Sequence, residues 1–157
     1  AESGHTAALP AALRPVEPID PAGAVKVRDF VLDKTSDACG SIWTINGLRF
    51  SDITEFPQLG TTEIWRFINV RNTVHPMHMH LEMFQVLDRT PIGGGAAIPP
   101  DANELGWKDT VRMAPQNTTG LGLSRVRSSR NAVSSSVSVP WATTTPCTAS
   151  SSRTDAT

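Results

Sequence analysis

The run TEIWRFINVR, residues 62–71, most constrains what this chain can fold into. At strand periodicity Ile64, Ile68 and Val70 fall on one face and Trp65 and Phe67 on the other. A strand apolar on both faces has to be covered on both, which places it in the interior of a sheet. Runs of similar length surround it. VKVRDFVLD (25–33) sets Val25 and Val27, then Phe30 and Val31, toward the core, with a bulge between the two pairs. SIWTINGLRF (41–50) carries Asn46-Gly47, a strong hairpin signal, between Trp43/Ile45 and Leu48/Phe50. MFQVLDR (83–89) and WKDTVRM (107–113) complete the set, with Phe84, Val86 and Trp107 as expected core residues. Turn signals every ten to fifteen residues and no helical period imply an all-β sandwich or Greek-key barrel.

The ends differ from this body. Residues 1–24, with prolines at 10, 15, 18 and 21, read as an extended linker or strap. From Asn117 the last 41 residues hold 18 Ser plus Thr, one acidic residue (Asp155) and one aromatic (Trp141). Only AVSSSVSV there could form a strand, so a core ending near Pro115 and a disordered tail over 116–157 are expected. The loop TPIGGGAAIPPDANELG between the last two strands has the composition of a surface excursion. A net charge of −1 gives no reason to expect nucleic acid as partner, and no apolar run is long enough for a membrane span. Two widely separated cysteines, Cys39 and Cys147, are too few for a disulfide framework and form no C-x-x-C, which excludes a zinc ribbon; free thiols are expected.

The chemistry-bearing stretch is NTVHPMHMHLEMFQVLDR, 72–89, which holds three of the four histidines. On a strand His78 and His80 share a face, while His75, of the other parity, aims elsewhere with Met77 and Met79. Imidazoles fixed on a rigid strand suit copper or zinc, so the spacing H-P-x-H-x-H points to two neighbouring metal sites. A cupin would need a later histidine, which this chain lacks, and an H-x-H-x-D-H zinc hydrolase would need Asp-His where Glu82-Met83 stands. Met77, Met79 and Met83 read as packing residues.

The combination TEIWRFINV…HPMHMHLEMFQVLDR…GWKDTVRMAP closely resembles the C-terminal cupredoxin domain of multicopper oxidases, nearest to bacterial laccases of the spore-coat, bilirubin-oxidase and phenoxazinone-synthase type. It covers roughly residues 8–115 and includes LPAALRPVEP and WTINGLRF. The resemblance implies a cupredoxin-like domain over 25–115, His75 as a ligand of the type 1 copper that accepts electrons, and His78 and His80 as type 2 and type 3 ligands of the cluster that reduces O2. It implies small aromatic electron donors and N-terminal cupredoxin domains as partners, with no catalytic residue beyond the copper ligands. The loop 91–105 is a candidate for shaping the donor pocket. Family members occur outside the cell and in the cytoplasm, so the compartment stays open.

The family closes its sites with H-C-H-x-x-x-H and a following Met, and nothing after residue 116 matches this. The chain is therefore expected to be truncated or frame-shifted there. TTTPCTAS (143–150) can be encoded so that an offset frame reads Asp-Asn-Ala-Met-His-Arg-Gln, although one shift alone cannot restore H-C-H. Alone, the chain is expected to be inactive, with an open sheet edge that favours association. The competing readings are a non-catalytic copper-binding module and an inert fragment.

Overall fold

The computed structural model describes residues 15–37, 40–49, 52–80, 82–124 and the strand at 137–138. Its eight strands are β1 (Lys26–Asp37), β2 (Gly40–Ile45), β3 (Thr62–Asn69), β4 (His75–Met79), β5 (Phe84–Pro91), β6 (Thr110–Met113), β7 (Asn117–Ser124) and β8 (Val137–Ser138). Among the described residues the helical content is two single 3-10 turns, at Pro21–Gly23 and Ala102–Glu104. The strands form a five-stranded sheet in the order β2-β1-β3-β7-β5 and a three-stranded sheet in the order β6-β4-β8. Pairings are antiparallel except β1 with β3, which run parallel.

Strand β3 sits inside the larger sheet, as its two apolar faces require. Trp65 and Phe67 are fully buried, and Ile64 and Ile68 on the opposite face are half-buried. Phe30 of β1 stacks on Phe67 at 5.0 Å and leans on Trp65 at 4.7 Å, in the range where aromatic pairs attract. Met77, Met79, Val111 and Met113 from the smaller sheet, with Phe84, Val86 and Leu121, complete one core.

Three expectations are corrected. Strand β1 runs in unbroken register with β3, and the residues turned inward are Arg28, Phe30 and Leu32; Val25 and Val27 are exposed on the outer face. The bulge lies instead in β5, between Val86 and Asp88. Arg28 takes an inward position because buried Glu63 receives its Nε at 2.6 Å and its second guanidinium nitrogen at 3.0 Å, while Glu55 binds the third. A charge enters a sheet interior when such partners replace its water. Trp107 is not in the core; 39% of it is exposed.

The third correction concerns the boundary near Pro115. Strand β7 begins beyond it and lies between β3 and β5, so the core includes residues composition assigned to the tail. β7 is poor in side chains because both faces are occupied. A Cβ on Gly122 would stand 3.2 Å from Ile19 and Leu87, and one on Gly120 would stand 3.1 Å from Asp88. The room at Gly122 lets the segment before β1 cross the outer face of the sheet. Gln85 fastens it there: its Oε1 accepts from the Ile19 amide at 3.0 Å and its Nε2 donates to the Glu17 carbonyl at 2.8 Å. Residues 15–24 of the expected 1–24 strap thus lie along the sheet, held at Glu17 and Ile19; residues 1–14 fall outside the described residues. Beyond Ser124 only β8 is described; it lies within AVSSSVSV and pairs with β4 at His78 and Met79. Both cysteines and the remainder of the tail fall outside the described residues.

The Asn46-Gly47 turn forms as its sequence requires, with φ of 53° and 76°, the two positive values of a type I′ turn. Asn46 also extends the sheet: its Oδ1 accepts from Val31 N at 2.8 Å and its Nδ2 donates to the Asp29 carbonyl at 2.9 Å.

Candidate metal centre

β4 divides its histidines between two environments. His75, Met77 and Met79 are buried and face the core; Pro76 and His78 alternate toward the other side, and His80 follows the strand's end, exposed. Parity alone anticipates this separation, and it keeps His75 away from the His78/His80 pair.

His75 opens β4 opposite Met113 of β6 and is 3% exposed. Its Nδ1 lies 2.7 Å from the Pro76 carbonyl oxygen, which can only accept, so Nδ1 carries the proton. The lone pair is then on Nε2, which is buried and has no hydrogen-bond partner among the described residues. Burial pushes the ring's pKa down; the Pro76 bond opposes this and the Lys34 charge adds to it, with a net downward shift from 6.5. The imidazole is therefore neutral at pH 7, the form that binds a metal. The Trp43 ring meets it at 4.6 Å between centroids, nearly perpendicular.

Asn69, the last residue of β3, holds the approach to His75. Fully buried, its Nδ2 donates to the carbonyls of Thr73 at 2.8 Å and Ala114 at 3.1 Å, with a longer contact to Met113 at 3.4 Å. Its Oδ1 accepts from Arg71 N at 3.1 Å. The loop into His75 and the end of β6 beside it are thus tied to one side chain.

On the other face His78 Nδ1 is 3.0 Å from both the Asp109 carbonyl and Thr110 Oγ1. The carbonyl again demands a proton on Nδ1 and leaves the lone pair of the neutral ring on Nε2. The His78 and His80 rings stand 5.0 Å apart at 62°.

Metal fit follows from this chemistry. An orphaned buried imidazole nitrogen suits a metal, and so does the strand-mounted His78 ring, whose Nδ1 is tied by outer partners, with His80 beside it. Among the described residues no group of three or more His, Cys, Asp or Glu is arranged to hold an ion. The loop 91–105 is tied back to the sheet: Arg89 binds Glu104 at 2.6 and 2.7 Å, Arg112 reaches Asp101 at 3.1 Å, and Ile98 bridges to Arg89. Sequence reasoning did not single out Asn69 or Lys34 for this site, and read Trp43 only as a strand residue; their roles come from contacts distant in sequence.

Two packed β-sheets with histidines divided across one strand define a cupredoxin-like domain. The multicopper oxidase family model matches residues 21–125. A laccase from Bacillus subtilis (strain 168) is 40% identical over 100 residues, covering 55% of this chain and 20% of that protein. A bilirubin oxidase from Albifimbria verrucaria is 35% identical over 119 residues, covering 72% of this chain and 19% of that one. In structure the chain matches a variant of the McoA multicopper oxidase from Aquifex aeolicus with a TM-score of 0.61 and 32% identity, over 81% of this chain and 28% of the other. The chain belongs to the multicopper oxidase family, which implies copper, and it spans about a fifth to just over a quarter of these relatives. No helix among the described residues is long and apolar enough to cross a membrane.

Proposed function

We propose that this chain is the C-terminal cupredoxin domain of a longer laccase-type oxidase that takes single electrons from phenols or aromatic amines and passes them to O2. The observation that carries this reading is the division of β4: a buried, neutral His75 with an open Nε2 on one side, and the His78/His80 pair on the other. His75 would hold the type 1 copper, His78 the type 2 and His80 a type 3 copper, with the remaining ligands from elsewhere in the longer protein. Copper supplies one-electron exchange at the first site and O2 reduction at the second. The chain's own residues fix the geometry. Pro76 and Asp109 carbonyls hold His75 and His78 in the Nδ1–H form, Asn69 clamps the loop before His75, and Trp43 covers its ring. His75 and His78 lie on one strand with two residues between them, a short covalent path between the two sites.

The test is variant chemistry in the longer, copper-loaded protein. His75→Ala should abolish the intense visible absorption of thiolate-bound copper and phenol oxidation while leaving cluster copper in place. His78→Ala should lose cluster copper and O2 uptake while keeping the visible band. If both variants lose the same copper, the reading fails. This chain alone should show neither blue colour nor phenol oxidation when copper is added.

A further inference from the structure

The indole that covers His75 also reaches solvent. Trp43 on β2 is half-buried, and its cross-strand partner on β1, Lys34, is exposed and holds its ammonium over the indole ring, 4.9 Å from its centre. Asp33, next to Lys34, is engaged by the Arg71 guanidinium, which also donates to the Lys34 carbonyl at 2.8 Å. Of the charges here, Arg71 and Asp33 offset each other and Lys34 is left over. A flat aromatic ring, a displaceable cation over it and a buried imidazole in ring contact with it therefore form one continuous arrangement.

We propose that Trp43 and Lys34 form a docking site for aromatic electron donors that carry an anionic group such as a carboxylate, and so bias the His75 centre toward anionic phenols. The donor's ring takes the ammonium's place over the indole and its anion pairs with the ammonium it displaces, which places the donor one ring away from His75. Among relatives that share the copper ligands, a Lys–Trp pair at this contact would set donor preference without touching the metal. The substrate class rests on the reading of His75 as the electron-entry ligand; the docking site itself does not.

The test uses the full chain in solution and three probes: 4-hydroxybenzoate, the neutral 4-hydroxybenzyl alcohol and the cationic tyramine. Chemical shifts of the Trp43 indole N–H and the His75 ring are followed by NMR. The expected result is saturable shifts at both residues with 4-hydroxybenzoate and weaker binding of the other two. Lys34→Gln should weaken 4-hydroxybenzoate about three- to tenfold, the range of one exposed ion pair, and leave the neutral alcohol unchanged. Trp43→Phe should retain the charge preference, and Trp43→Leu should weaken 4-hydroxybenzoate and the neutral alcohol alike. Equal affinity for the anionic and neutral probes, no effect of Lys34→Gln, or non-saturating shifts spread over other surface lysines would overturn the proposal. The electron-entry reading is tested separately, by His75→Ala in the longer, copper-loaded protein. A visible band that survives that substitution, with probe binding here intact, refutes that reading and leaves the docking site standing.

Discussion

Replacing Asn69 should loosen the approach to His75 and cost a calculable share of the domain's stability. Asn69→Ala leaves the Arg71 amide and the Thr73 and Ala114 carbonyls without their partner. Counting those three bonds at about 1 kcal/mol net each gives roughly 3 kcal/mol, with the 3.4 Å Met113 contact left uncounted. Against a typical total of about 5–15 kcal/mol that is a large fraction. With a urea m-value of about 1.5 kcal/mol/M, the unfolding midpoint should fall by roughly 2 M. Asn69→Asp separates the cause from lost volume, because it keeps shape and acceptor but sets a carboxyl against the same carbonyls. Burial there raises the folded pKa of the introduced carboxyl above its unfolded value near 3.9. The penalty of Asn69→Asp should therefore be small at low pH and grow as pH rises through the interval between the two values. Urea melts at several pH values measure both variants, and the nuclear Overhauser contact between the Trp43 and His75 rings reports the local effect. An Asn69→Ala variant within about 1 kcal/mol of the parent would refute the argument from lost bonds. So would an Asn69→Asp penalty that does not change with pH.

Burial works to raise the Glu63 pKa, but hydrogen bonds from Arg28 and Trp65 outweigh it, so the folded value lies below the ordinary 4.5. A depressed carboxylate contributes stability that is present above 4.5 and lost as pH falls through the folded value. Calorimetry should show that acid loss, and Arg28→Met, which leaves Glu63 buried without its cation, should cost about 3–5 kcal/mol at pH 7. Gln85→Ala should release the strap, seen as faster hydrogen exchange at the Ile19 amide while the β3 amides keep their protection. Gly122→Val should cost about 1–3 kcal/mol through overpacking against Ile19 and Leu87. Asn46→Ala removes two side-chain bonds to β1 and places alanine at a φ of 53°, so urea melts should show a loss of about 2 kcal/mol or more.

Much of the larger sheet was legible because its strands carry local signals. TEIWRFINV announces a strand buried on both faces, Asn-Gly announces a type I′ turn, and a period of two separates His75 from His78. β7 was missed for a physical reason. NTTGLGLS has the composition of coil, yet its glycines are present because Ile19, Leu87 and Asp88 pack where their side chains would be. The inward face of β1 was misread because Arg28 occupies it, and only its pairing with Glu63, 35 residues away, makes that position tolerable. Trp107 opens WKDTVRM, but the strand begins only at Thr110, which leaves the indole 39% exposed. Spacing makes the histidine cluster stand out, and parity alone anticipates that His75 and His78 face opposite ways on β4. The Asn69 clamp and the Trp43–His75 contact join segments far apart in the chain, where no local pattern reports them.

Diffraction at the copper absorption edge, from crystals of the longer copper-loaded protein, tests the division of β4 most directly. The anomalous map should show one copper beside His75 on the core side and separate copper beside His78 and His80 on the opposite face. A single peak shared by the three imidazoles, or none next to His75, would contradict it.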